Sequence, residues 1–225
     1  SEERRFDTQP GWIDSGVMAT RAPDGRIHIA YTSSLPADAA DDSPATAAAR
    51  EVWYRAIEPT GELGGARRLA TGVGLAEEDI GAVAPLVHLD ASGATAVFYR
   101  LADGSLHERT VLRDGTITEP VRVTERAVVQ NASDSDQVGV DAVTWQGEVL
   151  LAFIDEATRD LWLVRRDQAG SWGTAVPLVE DINAQWVRGQ VVLDVDGQPV
   201  YSLVYDAGSD GGSGMNRNTL VPLGS

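Results

Sequence analysis

The sequence predicts an all-β protein, a single small β-propeller of four blades with four antiparallel strands in each, and three observations predict it. First, a turn glycine followed by a short apolar run recurs four times: Gly25 before RIHIAY, Gly93 before ATAVFY, Gly147 before EVLLAF and Gly197 before QPVYSL. Second, these glycines lie 68, 54 and 50 residues apart, and radial repetition of four-stranded sheets at roughly 40–50 residues per unit is the pattern of a propeller. Third, strong β formers punctuated by Gly, Asp, Ser and Pro fill the chain, and no stretch sustains a helical period.

Each unit reads in the same order. A first strand is marked by another glycine, at Gly16, Gly81, Gly139 and Gly189. The second strand is the apolar run after the turn. A middle strand packed between neighbouring blades is buried on both faces, so EVLLAF and ATAVFY need no alternation. The third strands are EVWYRAI (51–57), SLHERTV (105–111), LWLVRR (161–166) and NRNTLV (216–221). The fourth are GARRLAT (65–71), EPVRVTE (119–125) and TAVPLVE (174–180). The last unit lacks a fourth strand of its own. The segment EERRFDT (2–8) aligns with GARRLAT through Arg4, Arg5 and Phe6, so an N-terminal strand is expected to close the last blade. The expected blades are 11–74, 80–126, 138–180 and 185–225 plus 1–8, all in one domain. Arg67, Arg68 and Arg122 on outer strands discourage edge pairing. A two-sheet sandwich is the competing architecture, and four segments per unit weigh against it.

Composition narrows the function. Thirty-four acidic residues against eighteen basic ones, every one of them Arg, give a formal charge of −16 in 225 residues. Such a balance argues against a nucleic-acid partner and against an anionic membrane surface. No apolar run approaches the ~18 residues of a span, so no membrane insertion is expected. The absence of Cys removes disulfides, thiol catalysis and cysteine zinc sites. The chain begins on Ser without a leader-like segment and reads as a processed or trimmed form; an extracellular or periplasmic setting is the expectation.

Candidate site residues gather before the first-strand glycines. Asp14 precedes Gly16, Asp79 precedes Gly81, and Asp136 and Gln137 precede Gly139. In a propeller these positions approach the axis on one face. With Trp12 and Trp186 they define an acidic funnel carrying two indoles, suited to a cation or to stacking a sugar; the competing reading is a solvated acidic rim. The glycine-rich loop DAGSDGGSGMN (206–216) offers Asp206 and Asp210 to Ca²⁺, which takes several oxygens. No motif demands a cofactor. His28, His88 and His107 fall on different segments and read as structural. Trp53, Trp145 and Trp162 lie within strands, and Trp172 lies at a strand end as a possible ligand contact.

With the repeat written out, VHLDASGATAVFYRLADGSLHER (87–109) and VDAVTWQGEVLLAFIDEATRDLWLVRR (140–166) resemble the sialidase-like, or BNR-type, repeat propellers. That family carries an Asp box, Ser-x-Asp-x-Gly-x-Thr-Trp, between the third and fourth strands. The matching place here is RRDQAGSW, with Asp167, Gly170 and Trp172, and a shorter counterpart is RDGTI, with Asp114 and Gly115. The opening GWIDSGVMATRAPDGRIHIAYTS (11–33) also resembles the first blade of five-bladed glycosidases acting on arabinan, xylan or fructan. That second resemblance implies that Asp14 is the base or nucleophile. The resulting expectation is a ligand-binding propeller that takes a carbohydrate or a protein partner on one face. The alternatives are a glycoside hydrolase using Asp14, and a subunit or fragment of a larger propeller.

Overall fold

The computed structural model describes residues 13–34, 50–72, 85–90, 92–129, 138–208 and 215–224. Fifteen strands and no helix are present among them. The first sheet holds β1 (Ile13–Arg21), β2 (Ile27–Ser34), β3 (Arg50–Ile57) and β4 (Arg67–Thr71). The second holds β5 (Leu86–Leu89), β6 (Thr95–Arg100), β7 (Ser105–Val111) and β8 (Val121–Ala127). The third holds β9 (Val140–Trp145), β10 (Glu148–Ile154), β11 (Leu161–Arg166) and β12 (Val176–Val179). The fourth holds β13 (Val187–Leu193), β14 (Pro199–Ala207) and β15 (Met215–Pro222). Within each sheet the strands pair antiparallel in sequence order, and the fourth sheet has three strands among the described residues.

The first strands face one another in succession, β1 against β5, β5 against β9 and β9 against β13, so they form the inner edge of the stack. The third strands fall within a residue of the expected segments. Of the fourth strands, β4 and β12 are shorter than expected and β8 keeps its length but begins later, at Val121, because the chain leaves the sheet after each third strand. It touches back only through single bridges, Ile57 to Leu63, Val111 to Ile117 and Arg166 to Trp172. Each bridge spans the same interval and brackets a left-handed glycine: Gly61 at φ 84°, Gly115 at 84° and Gly170 at 89°. The turn carrying Asp114 and the one carrying Asp167 thus have a counterpart of the same length in the first unit, a turn that holds no Asp. Five of the acidic residues are turn formers: Asp24, Asp90, Asp103, Asp114 and Asp194 each accept the amide two residues on, at 2.8–3.0 Å.

Period-2 alternation on the middle strands fills two seams at once. On β10, Val149, Leu151 and Phe153 enter the seam between the second and third sheets. Leu150, Ala152 and Ile154 enter the seam between the third and fourth. On β6, Ala96 and Phe98 face the third sheet while Val97 and Tyr99 face the first. Tyr31, Tyr99, Phe153 and Leu203, which the repeat makes equivalent, are 1%, 4%, 0% and 0% exposed.

Two of the first-strand glycines serve close packing. A Cβ on Gly189 would lie 2.3 Å from Tyr201 Cε2, and one on Gly139 would lie 2.3 Å from Val129 Cγ1. Gly16, at φ 58°, sits where the β1–β2 register shifts between Ser15 and Met18, so it permits a bulge. The expected closing strand, residues 2–8, lies outside the described residues.

Candidate functional site

The sheets have two ends, and the described candidates, Asp14, Trp186 and Asp206, lie at the one where each first strand begins. Asp14 is half-buried near the start of β1, opposite Ser33. Trp186 immediately precedes β13. Its amide and that of Gln185 donate to Asp206 Oδ1 at 3.0 and 2.8 Å, so Asp206 fixes the entry to β13. The structure thus brings Trp186 and Asp206 together and puts Asp14 on another sheet. Trp12, Asp79, Asp136, Gln137 and Asp210 lie outside the described residues. Among the described residues, no three His, Asp or Glu side chains are grouped to hold a metal ion.

A cavity lies at the opposite end, between the first and second sheets. It measures about 620 Å³ and is bounded by the β1–β2 and β3–β4 turns on one wall and the β5–β6 and β7–β8 turns on the other. This is the size range of small-ligand sites. On its walls the buried His28 places Nδ1 2.6 Å from the Tyr54 hydroxyl and 2.8 Å from Thr95 Oγ1. Burial pushes the Tyr54 phenol up to about 12 and lowers His28, with Arg26 adding to the latter. The phenol stays protonated, and His28 Nδ1 lies within hydrogen-bond reach of both hydroxyls. Arg26 donates to Glu58 Oε2 through Nε at 3.2 Å and Nη2 at 3.1 Å. Arg67 reaches from the first sheet to the Gly115 carbonyl of the second. Arg113 rests on the β5–β6 turn, where a Cβ on Gly93 would come within 2.5 Å of its Nη2.

Sequence reasoning treated Arg67 as an edge guard and His28 as structural. Nothing in either local pattern shows that adjacent blades set them on one cavity. The signal that could have found them is the repeat itself, which aligns the β3–β4 turn of one blade beside the β7–β8 turn of the next.

The neighbouring seam, between the second and third sheets, is closed by an ionic network. Arg166 donates to Asp90 Oδ2 at 3.2 Å and to Glu108 Oε1. Glu108 also accepts from Trp172 Nε1 at 2.8 Å and Thr110 Oγ1 at 3.0 Å. The Trp172 ring meets Phe98 edge-on at 5.9 Å. Trp172 is therefore a packing residue between sheets rather than an exposed ligand contact. His88, bonded through Nε2 to Thr144 Oγ1 at 2.7 Å, lies beside the network. Burial and then Arg166 hold its pKa down to about 4.

No family model matches the chain, and no curated protein matches it. Solved structures do. One is a candidate exo-beta-1,3-galactanase from Bifidobacterium bifidum s17, at TM-score 0.53 and 15% identity, covering 100% of this chain and 72% of that one. Another is the NanB sialidase from Streptococcus pneumoniae, at TM-score 0.52 and 13% identity, covering 84% of this chain and 27% of that one. The chain thus spans about a quarter of the length of the sialidase it matches. At such identities the likeness shows the fold: four antiparallel sheets stacked as in propeller glycosidases.

Proposed function

We propose that the chain is a single four-bladed β-propeller that binds a carbohydrate, and that the cleft between its first two blades is the binding site. One observation carries the reading. A cavity of about 620 Å³ holds a neutral imidazole, a phenol and three guanidinium groups on two rigid walls. Sugars are recognised by such dense, fixed sets of donors and acceptors. The structural neighbours are named as a sialidase and a galactanase, which supports a carbohydrate over a protein partner. Ring closure is part of the same proposal, with residues 2–8 pairing as the fourth strand along β15. The ring then comprises blades at 11–74, 80–126, 138–180 and 185–225 plus 1–8.

Affinity electrophoresis through arabinan, xylan, levan and polygalacturonate gels tests the binding. Gly65 lines the cleft and has nothing within 4 Å of where its Cβ would stand, so Gly65→Trp fills the cavity without strain. Retardation by at least one glycan, abolished by Gly65→Trp, is the expected result. Migration unaffected by every glycan removes the reading.

A second reading, glycoside hydrolysis, is favoured by the place of Asp14 near the start of an innermost strand at the other end. Reducing-sugar release by wild type but not by Asp14→Asn would support it. Closure is tested separately, because a chain starting at Gly11 should lose stability and aggregate through the exposed edge. An unchanged melting temperature would remove the closing strand.

A further inference from the structure

We propose that the cleft is specific for an acidic saccharide, a uronate oligomer whose carboxylate is held between Arg67 and Arg113. This rests on the carbohydrate reading of the same cleft.

The cavity walls keep unspent hydrogen-bonding capacity. The carboxylates on the walls already have partners at one oxygen or both. Glu58 takes two bonds from Arg26. Asp24 Oδ1 accepts the Arg26 amide. Asp90 accepts from Ser92, from the Ala94 amide and, through its second oxygen, from Arg166. The donors are not used to the same extent. Arg67 and Arg113 face the cavity from opposite sheets, and among the described residues neither has a carboxylate within ion-pair distance. Arg67 spends Nη1 on the Gly115 carbonyl, which leaves Nε and Nη2. The His28 Nδ1 is taken up by Tyr54 and Thr95, and Nε2 meets no partner among the described residues. Two guanidinium groups with no carboxylate partner on one cavity favour a guest that carries acceptors, and an anionic one above all.

In a protein of formal charge −16 the cavity lining is balanced, with Arg26, Arg67 and Arg113 against Asp24, Glu58 and Asp90. The surrounding acidity repels anions at long range, so the site gains nothing from steering. It must recognise its ligand by contact. The two cations are also held in place. Gly93, at φ 76°, has no Cβ to displace the Arg113 guanidinium, and Arg67 is tethered across the gap. The cavity is larger than an inorganic anion requires, and its remaining lining can meet sugar hydroxyls.

Calorimetric titration with tri-uronates (galacturonate, mannuronate and glucuronate) beside neutral trisaccharides of the same linkages tests the proposal, on wild type, Arg113→Gln and Arg67→Gln/Arg113→Gln. Both side chains are exposed, so the variants should fold, which a thermal melt checks; Arg113→Gln alone should show a partial effect. At low salt at least one tri-uronate should bind about tenfold or more tightly than its neutral counterpart, a gap of about 1.4 kcal/mol. The gap should close in the double variant and shrink in about 0.5 M NaCl, while neutral-sugar affinity stays unchanged. Equal affinity for charged and neutral sugars in wild type would overturn the uronate proposal and leave carbohydrate binding standing. Inorganic sulfate competing as well as the best tri-uronate would overturn it in favour of a small-anion site. Failure of every sugar, charged or neutral, would overturn both readings.

Discussion

Tyr201 donates its hydroxyl to Asp141 Oδ1 at 3.0 Å across the seam between the third and fourth sheets, and both residues are buried. The Gly189 amide also bonds Asp141, and burial nevertheless pushes this carboxyl up to about 6. The Tyr201 phenol is driven well above its usual range by the same burial and by Asp141 itself. A β9 carboxyl is thus tied to both β13 and β14.

This pair has a pH signature. The folded carboxyl binds its proton more tightly than the unfolded one, so its stabilising contribution is full below about pH 4 and is lost as pH rises through about 6. His88 acts in the opposite direction. Its lowered pKa gives stability that is present above about 6.5 and is lost as pH falls towards 4. Asp141→Asn keeps an oxygen for Tyr201 and removes the first effect. Urea unfolding should find the variant about 1–3 kcal/mol more stable than wild type at pH 7.5, with a steeper loss on acidification between pH 6.5 and 4. Parallel pH profiles would show that Asp141 does not titrate in this range.

Arg166 anchors the ionic seam, with side-chain exposure of 10% against 4% for Glu108. Arg166→Met leaves Glu108 and Asp90 without their cation in a largely buried place, at a cost of about 3–5 kcal/mol. Adding Glu108→Gln should restore part of it, because the Trp172 indole still finds an acceptor. Denaturant midpoints of the two variants read this directly, and a loss no greater than a surface substitution would show the network to be dispensable.

Phe153 is fully buried on β10. Phe153→Ala should cost roughly 3–5 kcal/mol through lost burial and the cavity left behind. Equilibrium unfolding gives the figure, and a cost under about 1 kcal/mol would mean that this seam collapses to fill the gap.

Gly189→Ala introduces a single methyl 2.3 Å from Tyr201 Cε2 and 2.7 Å from Leu203 Cδ2. Overpacking of this kind costs typically 1–3 kcal/mol. The variant should also perturb the near-ultraviolet dichroism of Tyr201, whereas Gly65→Ala, facing open space, should leave both stability and spectrum alone.

The strands were legible because burial on two faces writes itself as an unbroken apolar run. EVLLAF and ATAVFY each feed two seams, and the turns before them need a glycine at positive φ. Gly139 and Gly189 were found as markers, but their reason was not: the neighbours they make room for, Val129 and Tyr201, are remote or on another strand. The cleft was illegible for a related reason. Arg67 and Gly115 are 48 residues apart, and the turns bearing them look like ordinary surface turns until two blades stand side by side. Trp172 misled because a strand-end indole looks available, whereas Phe98 and Glu108, which enclose it, lie far back in the chain.

Among the described residues, the joint that carries the cleft holds the fewest buried apolar side chains of the three core clusters. Among the described residues, eight buried apolar residues bind the first two sheets and fourteen bind the last two. The guanidinium of Arg67 bridges part of that gap. A guest lodged there would act as mortar between two courses of the wall, adding cohesion where the protein itself supplies little. Such a guest stabilises the fold in proportion to the logarithm of its concentration. Resistance to heat and to proteases would then depend partly on solutes around the protein, and least of all on the rigid third and fourth sheets.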